Sequence, residues 1–136
     1  MSYTVVDPRT AHAKQAEGWR YVDVRTPEEF GAGHPEGAVN VPIWVVQAGS
    51  RVPNDAFVAT LQRLFPTSTP LLMGCRTGAR SAMACDLLVA AGYTTLANVD
   101  GGFVGTPTSP GWADEGLPVS TTGASWAEIS RGAGGR

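Results

Sequence analysis

The stretch L-L-M-G-C-R-T-G-A-R-S, Leu71 to Ser81, is where the chain declares its organisation. Its apolar start, Leu71 to Met73, has the length of a short buried strand, and A-R-S-A-M-A-C-D-L-L-V-A-A from Ala79 onward has the pattern of a helix. Cys75 stands between the two, and Gly78 lets the backbone turn sharply into the helix. Backbone N–H groups in such a turn can converge on one point, and with the positive end of the following helix they form a cradle for negative charge. A cysteine at the mouth of that cradle is favoured as thiolate over thiol. Arg76 and Arg80 bring two fixed positive charges to the same few residues.

Upstream of this stretch the same alternation of strand and helix repeats. Thr4 to Val6 reads as a strand, and Asp7 with Pro8 is an N-cap and first-turn proline for a helix to about Glu17. Trp19 to Val24 reads as a strand ending in D-V-R, with Asp23 and Arg25 at alternate positions of an extended segment. Thr26, Pro27 and Glu29 spell a capping box, so a short helix is expected over Pro27 to Phe30. Ala38 to Val41 reads as a strand closed by Pro42, Ile43 to Val46 is compatible with several states, and Gln47 to Pro53 is expected as a surface loop. Asn54 or Asp55 then caps a helix whose apolar face carries Phe57, Leu61, Leu64 and Phe65.

Downstream, the helix from Ala79 runs to about Ala91, Gly92 stops it, and Thr94 to Val99 reads as the last core strand. Beyond Asp100 the chain is rich in Gly, Pro, Ser and Thr; Trp112, Leu117 and Val119 are expected to pack back on the core. Residues 1–119 are therefore expected to form one domain. Residues 120–136 are expected as a weakly ordered Gly/Ala/Ser-rich tail in which Trp126 and Ile129 hold one helical turn. Strands alternating with helices predict an α/β layer fold with a largely parallel sheet covered by helices on both faces. Sites in such sheets form at the C-terminal ends of strands, so Asp23, Arg25 and the Cys75 loop share one rim if their strands are neighbours.

The whole-chain numbers limit the function. A chain of 136 residues suits one core that needs no disulfide. Ten basic against twelve acidic residues give a net charge of -2, which offers no general field for nucleic acid or an anionic membrane. With two cysteines, no secretion signal pattern and no long apolar run, a reducing cytoplasm is the expected compartment.

Of the two cysteines, Cys85 lies among Ala84, Leu87 and Leu88 and reads as a packed, inert thiol. His12 and His34 read as structural or exposed, since nothing beside them completes a Cys-His dyad or a metal set. Gly101 and Gly102 read as a tight turn; the spacing of a dinucleotide fingerprint is missing. Arg80 sits in the first turn of a helix, against the positive end of the dipole, and so calls for a bound anion or an acidic partner, for which Asp23 is the nearest candidate in the pattern.

The six residues Cys75 to Arg80, together with D-V-R-T-P-E-E-F at Asp23 to Phe30, G-H-P-E-G-A-V-N-V-P at Gly33 to Pro42, N-V-D-G-G-F at Asn98 to Phe103 and the later G-L-P-V, resemble single-domain rhodaneses, the bacterial and plant sulfurtransferases. The resemblance spans about Val5 to Val119 and includes an aromatic after N-V-P, here Trp44. Two departures are the longer interval between Gly102 and Trp112, which contains T-P-T-S-P, and His-Pro-Glu in the turn at His34.

The resemblance implies a rhodanese-like three-layer fold and a cycle in which Cys75 takes the outer sulfur of thiosulfate, releases sulfite and passes the sulfur from its persulfide to cyanide or a thiol, including a protein thiol. It implies a substrate cradle made by Arg76, Thr77, Gly78, Ala79 and Arg80, site-shaping roles for Asp23, Arg25 and Trp44, and no metal or organic cofactor. Nucleic acid and membranes are not among the expected partners. Two rivals differ in kind. Cysteine phosphatases and arsenate reductases use a C-x-x-x-x-x-R loop one residue longer, wide enough for the oxygens of a phosphate. A regulatory binding module, or a carrier that hands persulfide sulfur to a partner protein, would keep the same fold.

Overall fold

The computed structural model describes residues 3–134, so the last two residues of the expected tail lie outside the described residues. In chain order the elements are β1 (Thr4–Val6), α1 (Pro8–Ala16), β2 (Arg20–Asp23), α2 (Pro27–Ala32), β3 (His34–Pro35), β4 (Val39–Asn40), β5 (Trp44–Gln47), β6 (Ser50–Pro53), α3 (Phe57–Leu64), β7 (Leu71–Gly74), α4 (Ala79–Ala90), β8 (Leu96–Val99), β9 (Val119–Ser120) and α5 (Trp126–Gly134). Five strands join in the order β1-β8-β7-β2-β4, every pairing parallel. Parallel neighbours need crossovers, and the helices between them supply these.

Each face of the sheet has its own core. One is built from Val22, Leu71 and Met73 of the strands with Phe57 and Leu61 of α3 and Ala84, Cys85 and Leu88 of α4. The other holds Tyr21, Leu72, Ala97 and Val99 with Ala11 of α1, Phe30 of α2 and the fully buried Trp112, whose indole meets Tyr21 edge-on at 5.5 Å. Leu71 and Leu72 of the same strand thus go to opposite faces, and both are covered, which is why β7 reads as a continuous apolar run. Gly74 ends that run because Tyr21 needs the space: a Cβ there would stand 1.9 Å from the phenol oxygen.

Register places the site. β2 pairs with β7 through Asp23 opposite Gly74, and with β4 through Asp23 opposite Asn40. The ends of β2 and β7 therefore lie side by side, and Cys75 and Asp23 to Arg25 share one rim of the sheet.

Four expectations are corrected. Gln47 to Pro53 is not a loop but most of an antiparallel hairpin, β5 with β6. Asn54 and Asp55 do not cap α3; Ala56 occupies the N-cap without a side-chain bond, while Asn54 accepts the Ala56 N–H through its own oxygen and donates to the Pro42 carbonyl. Val119 is 47% exposed, although it pairs with Pro35. The segment after Ser120, expected to be weakly ordered, forms α5 and sends Ile129, 8% exposed, into the core.

Candidate active site

The nucleophile leaves β7 at its C-terminal end and is almost enclosed, with Cys75 2% exposed. Gly78, at φ +127°, turns the chain so that its N–H donates to Cys75 Sγ at 3.1 Å and its carbonyl begins α4. The Ser81 hydroxyl lies 3.5 Å from the same sulfur, and also within reach of the Gly78 carbonyl and Asn98 Oδ1. Having one hydrogen to give, Ser81 can turn it to the sulfur when the thiolate forms. Burial raises the Cys75 thiol pKa, but hydrogen bonds from the Ser81 hydroxyl and from the amides of Ser81, Gly78 and Thr77 outweigh it and bring the pKa below its ordinary value. Cys85 has no such donors; burial, helped by the charge of Asp86, pushes it up to about 12. One thiol is prepared to ionise and the other is not.

The carbonyls of the loop are held from behind. Phe103 N–H donates to Cys75 O at 2.9 Å, Val104 N–H to Arg76 O at 2.9 Å and Gly101 N–H to Thr77 O at 3.1 Å. With their oxygens tied to the segment after β8, these peptides are fixed in orientation. Gly102 is indispensable here, because a Cβ on it would stand 2.4 Å from the Cys75 carbonyl oxygen and 2.8 Å from Arg76.

Arginines surround the loop, but two of the three have built-in carboxylates. Arg25 is buried and paired with Asp23 through Nε and Nη2, and it also donates to the Gly33 carbonyl at 2.6 Å. Its guanidinium lies over the ring of Phe103, 4.6 Å from the centroid, so the pair supports the residue that holds the Cys75 carbonyl. Asn40 closes the same corner by donating to the carbonyls of Asp23 and Arg25. Arg80 does not meet Asp23, its expected partner; it takes both oxygens of Glu29 on α2, at 2.9 and 3.1 Å. Arg76 is exposed and makes no ion pair among the described residues.

The remaining residues singled out from the sequence fall as follows. Thr77 is half-buried with its carbonyl tied to Gly101, and Ala79 is exposed at the first position of α4. Trp44 opens the hairpin, packs partly buried against the core and forms no hydrogen bond with the loop. His34 is buried, stacked on Phe30 at 3.6 Å, with a ring nitrogen 2.7 Å from each of the carbonyls of Phe30 and Thr122; it ties α2 to the C-terminal segment. Two site residues, Glu29 and Ser81, are not marked as such by the sequence pattern: Glu29 reads as part of the capping box, which the structure contains, and Ser81 as part of the helix. The available signal for Ser81 is that a helical serine can bond back to the carbonyl three or four residues earlier, as its hydroxyl does to Gly78.

A cavity of about 500 Å³ lined by His12, Trp19, Tyr21, Glu36 and Pro118 opens at the start of β2, the other end of the sheet from Cys75. Volume and chemistry point to different places, and the hydrogen-bonded thiol locates the site.

A rhodanese-like domain model matches residues 7–106, which include the Cys75 loop and the segment that holds it. The chain belongs to the rhodanese family. Among its relatives is thiosulfate sulfurtransferase 18 of Arabidopsis thaliana, 38% identical over 118 residues, with 85% of this chain and 82% of the relative covered. Rhodanese-like domain-containing protein 15, chloroplastic, of the same plant is 36% identical over 116 residues, 85% of this chain; the alignment spans only 60% of that protein's length. The crystal structure of Rv0390 from M. tuberculosis superposes with a TM-score of 0.73 at 29% identity, covering 88% of this chain and 98% of that one. This rhodanese thus shares the α/β fold with its central parallel sheet.

Proposed function

We propose that this rhodanese is a sulfurtransferase that accepts the outer sulfur of thiosulfate on Cys75 and passes it to a thiol or cyanide. The Cys75 thiolate attacks the outer sulfur, a new S–S bond forms, and the old one breaks with its electron pair leaving on sulfite. An acceptor thiolate, or cyanide, then attacks the outer sulfur of the Cys75 persulfide, and the bonding pair returns to Cys75 as thiolate. Both halves leave a negative sulfur at the centre of the amide cradle, where fixed N–H donors stabilise it without reorganising. The observation that carries this reading is the loop geometry: Cys75 Sγ accepts the Gly78 N–H at 3.1 Å with Ser81 Oγ 3.5 Å away. The name and identity of the plant thiosulfate sulfurtransferase support the choice of donor.

Intact mass after incubation with thiosulfate tests it. Wild type and Cys85→Ser are expected to gain the mass of one sulfur atom and to lose it on adding cyanide or a thiol, while Cys75→Ser gains nothing, since serine cannot form a persulfide. A gain that survives Cys75→Ser, or vanishes in folded Cys85→Ser, would assign the chemistry elsewhere.

A further inference from the structure

Arg80 closes the loop, but its charge is not free. Both oxygens of Glu29 accept from it, and Glu29 Oε1 is held from the other side by the Thr26 N–H at 3.0 Å and the Thr26 hydroxyl at 3.1 Å. The Thr26 hydroxyl in turn accepts the Glu29 N–H at 3.2 Å. A carboxylate locked in a capping box on α2 therefore meets the guanidinium of α4 in a fixed two-pronged pair. Seen from a third atom, such a pair is a dipole and acts far more weakly than a bare cation. Cys75 is close: Arg80 stands in the chain between Gly78 and Ser81, whose N–H and hydroxyl reach Cys75 Sγ at 3.1 and 3.5 Å, and besides its hydrogen bonds to Glu29 the Arg80 pKa is also raised by the charge of Cys75.

We infer that Glu29 is a positioning residue that sets the net charge around Cys75 through Arg80, holding the guanidinium in place while cancelling most of its field. The loop amides and Ser81, not the arginines, are then left to stabilise the thiolate and its persulfide. An uncancelled Arg80 would hold a sulfur anion more firmly and draw an anionic donor in more strongly, but it would also make the thiolate a weaker nucleophile, since nucleophilicity falls with pKa. Glu29 balances these demands. The donor half of this inference rests on the sulfurtransferase reading; the thiolate half does not.

The charged and titratable groups on the elements around Cys75 are Arg20, Tyr21 and Asp23 of β2 with Arg25 just beyond it, Glu28 and Glu29 of α2, Arg76 of the loop, Arg80, Cys85 and Asp86 of α4, and Asp100 beyond β8. Asp23 and Arg25 cancel one another. Burial, with the charge of Asp23, raises the Tyr21 phenol well above its usual value, so it stays neutral. Asp100 accepts the Ser109 hydroxyl, and Arg76 is exposed.

Three variants decide the matter: Glu29→Gln, Arg80→Gln and the two together. The readout is the pH dependence of alkylation by iodoacetamide, scored on the peptide that carries Cys75 so that Cys85 does not contribute. The midpoint is expected to fall by about 0.5 to 1 unit in Glu29→Gln, to rise by a similar amount in Arg80→Gln, and to return close to wild type in the double variant. A merely structural pair predicts instead a rise in all three, because each would loosen the amide cradle. An unmoved or raised midpoint in folded Glu29→Gln overturns the inference. Should that variant not fold, the comparison of Arg80→Gln with the double variant still decides: equal midpoints overturn it, and a lower one in the double variant supports it. With thiosulfate, Glu29→Gln is expected to show a lower KM together with slower release of sulfur to the acceptor. Wild-type protein that takes no sulfur from thiosulfate would overturn the sulfurtransferase reading, while the order of alkylation midpoints would still support the role of Glu29.

Discussion

The amide of Phe103 donates to the carbonyl of Cys75 at 2.9 Å, so the residue bearing the nucleophile has its backbone oriented by the segment beyond β8. An amide cradle works only if its N–H groups point inward before the charge arrives. Tying the outward carbonyls is how a short loop achieves this. The approach is close enough that only hydrogen fits on the Cα of Gly102.

Gly102→Ala is therefore expected to damage function more than stability. Its φ of +53° is a strained place for a side chain and its Cβ would push against the Cys75 carbonyl, a combination that costs about 1 to 3 kcal/mol. Gly116 is the control: at φ +69° with open space around it, Gly116→Ala carries only the conformational penalty, about 1 kcal/mol. Thermal melts and sulfurtransferase assays on both variants give the comparison. Full activity in folded Gly102→Ala would show that the segment beyond β8 does not orient the loop.

Among the described residues, Ser81 supplies the one side-chain donor to Cys75 Sγ. Removing a hydrogen bond to a charged group costs about 1.5 to 3 kcal/mol, so Ser81→Ala is expected to lose roughly ten- to a hundredfold in kcat/KM and to raise the Cys75 alkylation midpoint. The two effects should appear together. A normal alkylation profile with reduced turnover would place the hydroxyl outside thiolate stabilisation.

The parallel sheet, the helices on its two faces and the Cys75 loop were legible in the sequence because each rests on local signals: apolar runs, capping residues and glycine at a turn. The hairpin was not. Its turn uses Ala48 at φ +50° and Gly49 at φ +80°, and an alanine lacks the Asn, Asp or Gly signature that such turns normally display. Val46 and Arg51, paired across it, are exposed, so no alternation marks the strands. For α5 a signal existed, since Ser125 and Glu128 exchange capping bonds at its start, and Ile129 docks it on the core with Trp126 packed partly buried against the same cluster. The pairing of Glu29 with Arg80 joins two helices distant in sequence, and no local pattern encodes it.

Acid stability tests that pair by another route. Burial raises the Glu29 carboxyl, but hydrogen bonds from Arg80 and Thr26, with the Arg80 charge, outweigh it and hold it down to about 2. A carboxyl lowered on folding is more deprotonated in the folded than in the unfolded chain. Its contribution is therefore complete above the ordinary glutamate pKa of about 4.3 and is lost as the pH falls through about 2. Denaturant melts from pH 6 to pH 2 are expected to show a stability difference between wild type and Glu29→Gln that is constant down to about pH 5 and shrinks below it. A difference that persists unchanged at pH 2 would mean that the carboxylate charge is not what stabilises the pair.

Donor choice is expected to turn on Arg76. With Arg25 and Arg80 answered by Asp23 and Glu29, Arg76 is the exposed cation beside the nucleophile that has no carboxylate partner among the described residues. Thiosulfate is a dianion and mercaptopyruvate carries a single carboxylate, so a free cation at the rim favours thiosulfate. Exposure limits the gain: a solvated charge pair contributes about 0.2 to 1 kcal/mol, or roughly 1.5- to fivefold in kcat/KM. Arg76→Gly is expected to lose that factor mainly with thiosulfate, raising KM more than lowering kcat, and the loss should shrink as salt is added. Parallel assays of wild type and Arg76→Gly with both donors at two ionic strengths provide the measurement. Equal losses for the two donors, or a wild-type preference for mercaptopyruvate, would remove Arg76 from donor selection and leave it to the amide cradle.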